Sequence, residues 1–532
     1  MLKINPASYL LPKKLKITSS VAASGRFTTS PDSIGNTSFI GNRGGATMTA
    51  DSSTSGGASA HHHHQHAKTA QSKMNTYFPL GYKEAAAQWW SSVSLRQAEH
   101  GVLSFIPYLR QASAESTGAQ IQELAKADPF GQRVWRTSMV PLSGKNRALN
   151  EFSVERVGEQ VDNNLVMLHG YGAGLGFFYK NFEPLSRLPG WKLYALDMLG
   201  MGGSTRPPFK IHAKDHKDKI AEAEGWFIDA LEEWRKARKI EKFTLMGHSM
   251  GGYMAVSYAL KYPGRLNKLI LVSPVGIPED PWAVDAAMPE PETSTMQAEF
   301  TQDQESIVAR EPAGNNASYL AASDKKSAAV NKPSSTTPPK RPLPGWLVWL
   351  WDANVSPFSI VRMAGPLGPR LVSGWSARRF NHLPVPEKES LHTYSYALCQ
   401  QTGSGEYAMP YILAPGAYAR SPLINRIQEV GRGIISPATA TTPEVKETGL
   451  PVVFMYGEND WMDVAGGYAA EEKLKKRIEK ELASGNGAQE KGSAKVVVVR
   501  RAGHHLYLDN PDEFNDAVRR ELMSVGDKAK GK

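Results

Sequence analysis

The chain has 532 residues, a formal net charge of +10 and a hydrophobic content of 41%. This length exceeds what one ordinary α/β domain needs, so we expect either two domains or one domain with large insertions. The single cysteine excludes an intramolecular disulfide and a metal site built from cysteines, and no apolar run reaches the ~18 residues that a membrane span requires.

The surplus of positive charge indicates an anionic partner. Nucleic acid is not predicted, because no helix-turn-helix, zinc-finger or RNP-like pattern accompanies the charge. Peripheral contact with an anionic lipid surface is favoured, and a basic tail that inflates the total is the other explanation. No cofactor or metal is predicted, since the run HHHHQH at residues 61–66 is more typical of low complexity than of a metal site.

The first segment, residues 1–80, is predicted to be a disordered basic tail. Between Met1 and Arg43 the only acid is Asp32, and Lys, Arg, Ser and Thr are frequent. This composition is typical of a mitochondrial transit peptide. It predicts placement at the inner membrane or on the matrix side; the alternative is the cytoplasm or a lipid-droplet surface.

Ordered structure is expected to begin near Gly81, where apolar residues recur at helical spacing around Trp89 and Trp90. That helix either packs on the domain or anchors it at a membrane interface. Further on, short apolar runs alternate with helical stretches, which predicts a mostly parallel sheet with helices on both faces. The runs are LVMLHG, KLYALDM, FTLMG, KLILVSP, PVVFMYG and KVVVVRRAG.

Two composition changes divide this α/β domain. Residues 81–282 form its first part and residues 446–525 its second, followed by a short tail at 526–532. Between them, residues 283–342 are rich in Ser, Thr, Pro, Ala and Asn and are predicted to be a low-complexity insertion. Residues 343–445 regain apolar character and are predicted to form a cap over the carboxyl ends of the strands.

The stretch Gly247 to Gly251 reads GHSMG between a predicted strand and a predicted helix. This is the nucleophile elbow pattern, in which glycines two residues before and after the serine leave room for a sharp turn. Ser249 is therefore the candidate nucleophile. Two backbone amides should form the oxyanion hole, one from Met250 and one from Tyr171 in the loop after LVML.

A serine nucleophile needs a histidine base and an acid that orients it, in the chain order serine, acid, histidine. The loop after PVVFMYG offers Asp460, which we predict as the acid, with Asp463 as the reserve. Glu458 in the same loop is interpreted as a solvated charge. After the last strand, His504 directly follows a glycine and is the predicted base, whereas His505 is expected to pack against the cap or a helix.

These motifs resemble those of a known family, the α/β-hydrolase domain-containing proteins 4 and 5, with their plant relatives and the fungal mitochondrial cardiolipin-specific deacylase. The similarity lies in LHGYGAGLGFFYKNFEPLS, DMLGMGGSTRP, GHSMGGYMAVSYALKYPGRLNKLILVSPVG, YGENDWMD and GHHLYLDNPDEFN. It implies the α/β-hydrolase fold, a cap before the late strand that carries the acid, and acyl-ester chemistry on phospholipids or lysophospholipids.

The resemblance also raises alternatives. Some members have asparagine in place of the nucleophile and act as lipase co-activators; Ser249 departs from that pattern. The spacing His504-x4-Asp509 is associated in the family with acyltransferase activity, although Asp509 is equally placed to cap the last helix, which is the interpretation we favour from the sequence. The family leaves the choice between Asp460 and Asp463 open.

The leading hypothesis from the sequence is a serine hydrolase that removes a fatty acyl chain from a phospholipid, with cardiolipin as a plausible substrate. The first alternative is a lysophospholipid acyltransferase that uses the same Ser249 and His504. The second is a non-catalytic co-activator at a lipid surface, which would make no use of a complete triad.

Overall fold

The computed structural model of the chain describes residues 78–91, 93–113, 115–279, 303–309, 345–462, 464–486 and 489–529. Within these residues a nine-stranded sheet has the order β1-β2-β3-β5-β4-β6-β7-β10-β11, and β8 and β9 form a separate two-stranded sheet. The strands are β1 Arg110–Gln111, β2 Arg133–Pro141, β3 Ala148–Arg156, β4 Asn163–Leu168, β5 Trp191–Leu196, β6 Phe243–His248, β7 Leu266–Val272, β8 Ile434–Ser436, β9 Val445–Lys446, β10 Pro451–Gly457 and β11 Ser493–Val499.

The helices lie before, between and after these strands. They are α1 Tyr82–Ser91, α2 Leu95–Leu103, α3 Gly118–Ala125, α4 Tyr179–Leu185, α5 His216–Ala237, α6 Met250–Lys261, α7 Gln304–Ala309, α8 Gly345–Asp352, α9 Pro357–Met363, α10 Gly368–Arg379, α11 Val385–Gln400, α12 Met409–Ile412, α13 Val464–Glu481, α14 Leu506–Asp509 and α15 Pro511–Ala529. None of the helices in the described ranges has the length and apolar character needed to cross a membrane.

The six apolar runs picked out in the sequence form β4, β5, β6, β7, β10 and β11, and these strands pair in parallel. Their side chains alternate between two cores, as the period of two in a strand requires. Leu165 and Met167 face the core that contains α2, α4 and α15. Val166 and Leu168 face the core that contains α5, α6 and α13. The mostly parallel sheet with helices on both faces is thus confirmed.

The antiparallel strands β2 and β3 were not predicted, because charged residues interrupt their apolar pattern. In the structure the charges of Arg133 and Glu151 are buried and paired. The Arg133 side chain lies 2.7 Å from both Asp128 and Glu183, and Glu151 accepts hydrogen bonds from the Trp234 indole and from Arg238. Burial of a paired charge leaves no hydropathy signal in the sequence.

Part of the segment predicted to be a low-complexity insertion forms the helix α7, which corrects that prediction for residues 303–309. Gln304 and Ile307 are both buried, and the Gln304 side-chain oxygen accepts a hydrogen bond from Arg379 on α10. Contacts with the domain therefore stabilise a helix of only six residues. The rest of residues 283–342, like residues 1–77 of the predicted tail, lies outside the described residues.

Residues between β7 and β10 contact the loops at the carboxyl ends of the strands. The Phe358 ring on α9 lies 5.1 Å from the Tyr171 ring, and the Tyr394 hydroxyl on α11 accepts a hydrogen bond from the Gly176 amide. In α8, Trp349 is 67% exposed, whereas Trp351 donates its indole N–H to the Leu413 carbonyl. Of these two tryptophans of α8, one therefore faces the solvent and the other contacts the protein.

The last part of the predicted cap lies elsewhere, which corrects its boundary at residue 445. The β8–β9 hairpin sits at the amino end of β7, where a Cβ on Gly264 would lie 3.1 Å from Ile435 and the Gly264 amide donates to Glu447. The chain has to return to this edge because β10 runs parallel to β7. The cap proper therefore ends before β8.

Candidate active site

Ser249 occupies a sharp turn between β6 and α6. Its backbone has φ 53° and ψ −116°, a conformation that is costly for a residue with a side chain. A Cβ on Gly247 would lie 2.2 Å from the Gly251 carbonyl oxygen, and a Cβ on Gly251 would lie 2.7 Å from the His169 carbonyl oxygen. Both glycines of the motif are therefore required by close backbone contacts, as the elbow pattern predicts.

The turn is fixed by hydrogen bonds from its own backbone. The Ser249 amide donates to the Val272 carbonyl at 2.9 Å, and the Ser249 carbonyl accepts from the amides of Gly252 and Val275. The side chain is half-buried, and its hydroxyl forms no hydrogen bond with the part of the chain that the structure describes. The hydroxyl is thus held at the surface of the site without a structural partner there.

The loop after β4 approaches the serine closely. A Cβ on Gly170 would lie 3.1 Å from the Ser249 Cβ and 2.9 Å from His248 Nδ1, so the backbone of this loop lies beside the elbow. Within the described ranges, the amides of Tyr171 and Met250 donate to no backbone or side-chain acceptor. Two unpaired amides next to a serine are what an oxyanion hole requires.

His169 links the loop after β4 to the loop after β5. Its Nδ1 lies 2.8 Å from the Gly170 carbonyl oxygen, and its Nε2 accepts a hydrogen bond from the Met198 amide. The ring therefore carries its proton on Nδ1. Burial lowers its pKa below the usual value, so this histidine stays neutral and acts as a structural link.

Asp460 and His504 lie together although they come from different loops. The Asp460 Oδ1 is 3.1 Å from His504 Nδ1, and both side chains are buried. Asp460 also accepts hydrogen bonds from the amides of Met462 and Gly457. These donors fix the orientation of the carboxylate beside the imidazole. Asp463, the reserve acid, lies outside the described residues.

Ser273 is a third member of this cluster that the sequence did not reveal. It follows β7, its side chain is fully buried, and its hydroxyl donates to Asp460 Oδ2 at 2.5 Å. The same oxygen lies 2.7 Å from His504 Nδ1. Its only signal in the sequence is a polar residue at the end of an apolar strand, which is too common to identify a site.

Two further histidine rings, those of His248 and His505, lie next to the His504 ring. Burial and then the positive charge of Arg379 hold the pKa of His505 well below its usual value, and its ring stacks on Phe177, so it packs on the loop after β4. Burial, and after it the charge of His504, also hold the pKa of His248 well below its usual value. The Nε2 of His248 lies 2.9 Å from the His504 carbonyl oxygen, so the residue before Ser249 is tied to the histidine loop.

Asp509 does not cap the last helix, which corrects the interpretation favoured from the sequence. Asn510 takes that position, since its side-chain oxygen accepts from the Glu513 amide and Pro511 is the first residue of α15. Asp509 points inward instead. Its Oδ2 accepts from the Gly503 amide at 2.9 Å, and its Oδ1 lies 3.1 Å from Arg379 on α10.

Glu458 is also placed differently from the prediction. It is buried rather than solvated, and its Oε2 accepts a hydrogen bond from the Arg501 amide at 2.8 Å. This contact joins the loop that carries Asp460 to the loop that carries His504. The sequence did not show this contact because the two residues are 43 positions apart.

Most of the chain is similar to known proteins. The family model described as alpha/beta hydrolase fold matches residues 163–511. A 1-acylglycerol-3-phosphate O-acyltransferase of Arabidopsis thaliana is 30% identical over 79% of this chain and 78% of that protein. The 1-acylglycerol-3-phosphate O-acyltransferase ABHD5 of Rattus norvegicus is 30% identical over 68% of this chain and 77% of that protein.

A yeast protein extends the same pattern. The 1-acylglycerol-3-phosphate O-acyltransferase ICT1 of Saccharomyces cerevisiae is 27% identical over 66% of this chain and 80% of that protein. The names of all three relatives refer to transfer of an acyl group to a phosphate-bearing acylglycerol.

Proposed function

Because the chain belongs to the α/β hydrolase fold family, we propose that it transfers fatty acyl groups to 1-acylglycerol-3-phosphate through an acyl-enzyme on Ser249. The relatives confirm the resemblance to the domain-containing proteins 4 and 5, and fold and relatives together indicate an enzyme. The observation that carries the proposed chemistry is the Asp460 carboxylate, 3.1 Å from His504 Nδ1 in the cluster beside the elbow.

In the first step, the Ser249 Oγ attacks the carbonyl carbon of the donor ester while the Nε2 of His504 takes the hydroxyl proton. The charge that develops on the carbonyl oxygen is stabilised by the Tyr171 and Met250 amides. The bond to the donor alcohol then breaks, and the leaving oxygen takes the proton from His504. The fatty acyl group is left on Ser249 as an ester.

In the second step, the free hydroxyl of the lysophospholipid gives its proton to His504 and its oxygen attacks the acyl carbon. The bond to Ser249 breaks, and the serine oxygen regains a proton from His504. Asp460 accepts from Nδ1 throughout, which keeps Nε2 available for both transfers. The products are the diacyl lipid and the free enzyme.

Hydrolysis is the second candidate, because water can replace the lysophospholipid at the same acyl-enzyme. It is favoured by the intact Ser249 in a chain that resembles the cardiolipin-specific deacylase. With cardiolipin as the donor, this reaction would release one fatty acid and leave a lysolipid. The two candidates share Ser249 and His504 and differ only in the acceptor.

Lipid substrates require the enzyme to reach a membrane, and we propose peripheral contact with an anionic surface. Large apolar side chains are exposed on two helices that both pack against α10: Tyr82 (68%) and Trp90 (82%) on α1 and Met363 (77%) on α9. Tryptophan favours the headgroup level, and the net charge of +10 complements anionic lipid. The basic tail supports placement at the mitochondrial inner membrane or in the matrix.

The acceptor can be identified with the purified full-length protein. Vesicles would contain 1-acylglycerol-3-phosphate and a radiolabelled acyl donor, supplied either as a phospholipid or as a coenzyme A thioester. We expect label in phosphatidic acid with wild-type protein and none with Ser249→Ala. Label in free fatty acid alone would support hydrolysis instead of transfer. Label in neither product would support the non-catalytic co-activator hypothesis.

A further test concerns Asp509, whose carboxylate bonds to the Gly503 amide and to the buried Arg379. Removing one partner of a buried ion pair typically costs about 3–5 kcal/mol. Because Asp509 acts through the histidine loop, we expect Asp509→Ala to lower the melting temperature and to lower transfer and hydrolysis together. The ratio of the two activities and the melting temperature are measured on the same preparation.

The matched control is Asp516→Ala, which removes an exposed acid on α15 that forms an ion pair with Arg519 at the surface. This change should alter neither the activity ratio nor the melting temperature. A transfer-to-hydrolysis ratio that drops about tenfold, roughly 1.4 kcal/mol of selective loss, with an unchanged melting temperature would contradict this expectation. It would instead give Asp509 a direct part in acyl transfer.

A further inference from the structure

We propose that Ser273 is a positioning residue for the base, and that its buried hydroxyl fixes the proton of His504 on Nδ1. This role rests on the proposed function, since it requires His504 to act as a base toward Ser249. It adds a fourth side chain to the predicted set of Ser249, Asp460 and His504.

The positions of the oxygens assign the protons of the Ser273 hydroxyl and of His504 Nδ1. A serine hydroxyl has one proton to donate. The charged Oδ2 of Asp460, at 2.5 Å, is the stronger and closer acceptor for it. The Ser273 oxygen is then left as an acceptor, and the atom that faces it at 2.7 Å is His504 Nδ1.

His504 Nδ1 therefore faces two acceptors, the Ser273 oxygen at 2.7 Å and the Asp460 Oδ1 at 3.1 Å. Only a protonated Nδ1 satisfies both. In the neutral ring this leaves the lone pair on Nε2, which is the tautomer that a general base needs. Of the two acceptors, the serine oxygen is the closer to the nitrogen.

The backbone conformation of Ser273 is a second, independent reason to assign a function to its side chain. Its φ is +45°, in the region that glycine adopts without strain and that other residues enter at a cost. The Ser273 amide donates to the Met455 carbonyl of β10, so the strand ends hold this conformation. Glycine would suit the backbone better, and a strained side chain at a site is a reason to look for its function.

Ser273 also lies apart from any substrate. Its side chain is fully buried and is covered by Asp460 and His504, so it can affect the reaction only through them. A loss of this hydroxyl should therefore slow the chemical step and leave the binding of substrate unchanged.

The test measures how fast a fluorophosphonate probe labels Ser249. In this reaction the serine oxygen bonds to phosphorus, fluoride leaves, and His504 takes the proton, so the rate reports the serine and its base without a lipid substrate. Ser273→Gly removes the hydroxyl and relieves the backbone, whereas Ser273→Ala removes the hydroxyl and keeps the strain. We expect both variants to be labelled about 10- to 100-fold more slowly, within or below the contribution of general base catalysis.

Three controls make the result specific. Ser395→Ala removes another buried hydroxyl, one that donates to the Leu391 carbonyl within α11, and should be labelled at the wild-type rate. The melting temperature of Ser273→Gly should equal or exceed that of the wild type. In an Asp460→Asn background, Ser273→Gly should slow labelling by less than about threefold. The effects of two substitutions in residues that act as one unit are not additive.

Labelling of Ser273→Gly and Ser273→Ala within about twofold of the wild type, or an equal loss with and without Asp460, would overturn the role of Ser273. The proposed function would still stand in that case. If the wild-type protein itself is not labelled at Ser249, the proposed function fails instead, so the two failures are distinguishable.

Discussion

Replacing Ser249 by alanine is expected to reduce acyl transfer and ester hydrolysis by about 10⁴-fold or more, the loss typical of an essential triad member. The change removes the nucleophilic oxygen and adds no bulk. Folding should be unaffected, because alanine has the same difficulty as serine with a φ of 53° and the Ser249 hydroxyl forms no hydrogen bond with the described residues. Activity per mole of purified protein and the melting temperature are measured together.

A suitable control is Ser257→Ala, eight residues further along on α6. Its hydroxyl is buried and accepts a long hydrogen bond from Arg426, so this variant should keep most of its activity. Residual activity of Ser249→Ala above roughly a tenth of the wild-type value would be incompatible with the loss expected of a triad nucleophile. It would direct attention to a non-catalytic role at the lipid surface.

The second large effect is expected for Asp460→Asn. Asparagine keeps the shape of aspartate but loses its charge and one acceptor oxygen, so the His504 ring is no longer held in the correct tautomer. The loss in kcat for this change in a serine triad is about 10⁴-fold. The substrate KM should change little, because the Asp460 side chain is buried beneath His504. Steady-state kinetics on a soluble ester substrate measure both parameters.

Asp463→Asn is the matched comparison in the same loop, and we expect it to keep nearly wild-type kcat. Asp460 is ranked first because its Oδ1 lies 3.1 Å from His504 Nδ1. The reverse ranking of the two variants would transfer the role of the acid to Asp463. It would also remove the basis for the role inferred for Ser273, whose proton is assigned from its bond to Asp460.

Much of the fold was accessible from the sequence because parallel strands buried on both faces are continuous apolar runs. Six such runs correspond to the strands from β4 to β11 that build the parallel part of the sheet. The antiparallel edge of β2 and β3 was missed because its buried charges, such as Arg133 and Glu151, are stabilised by partners elsewhere in the chain. A hydropathy pattern shows that a residue is charged, but it does not show which residue pairs with it in the folded protein.

The sequence by itself determined the elbow at Ser249, since the turn requires glycine at fixed local positions, and it determined the candidate histidine from its place after the last strand. Only the tertiary structure decided which groups surround that histidine. Ser273 and His504 are 231 positions apart, and Arg379 and Asp509 are 130 apart. Ser273 and His504 meet because their parallel strands end at the same edge of the sheet, and Arg379 reaches Asp509 from the cap helix α10. No local spacing encodes which polar residues meet there.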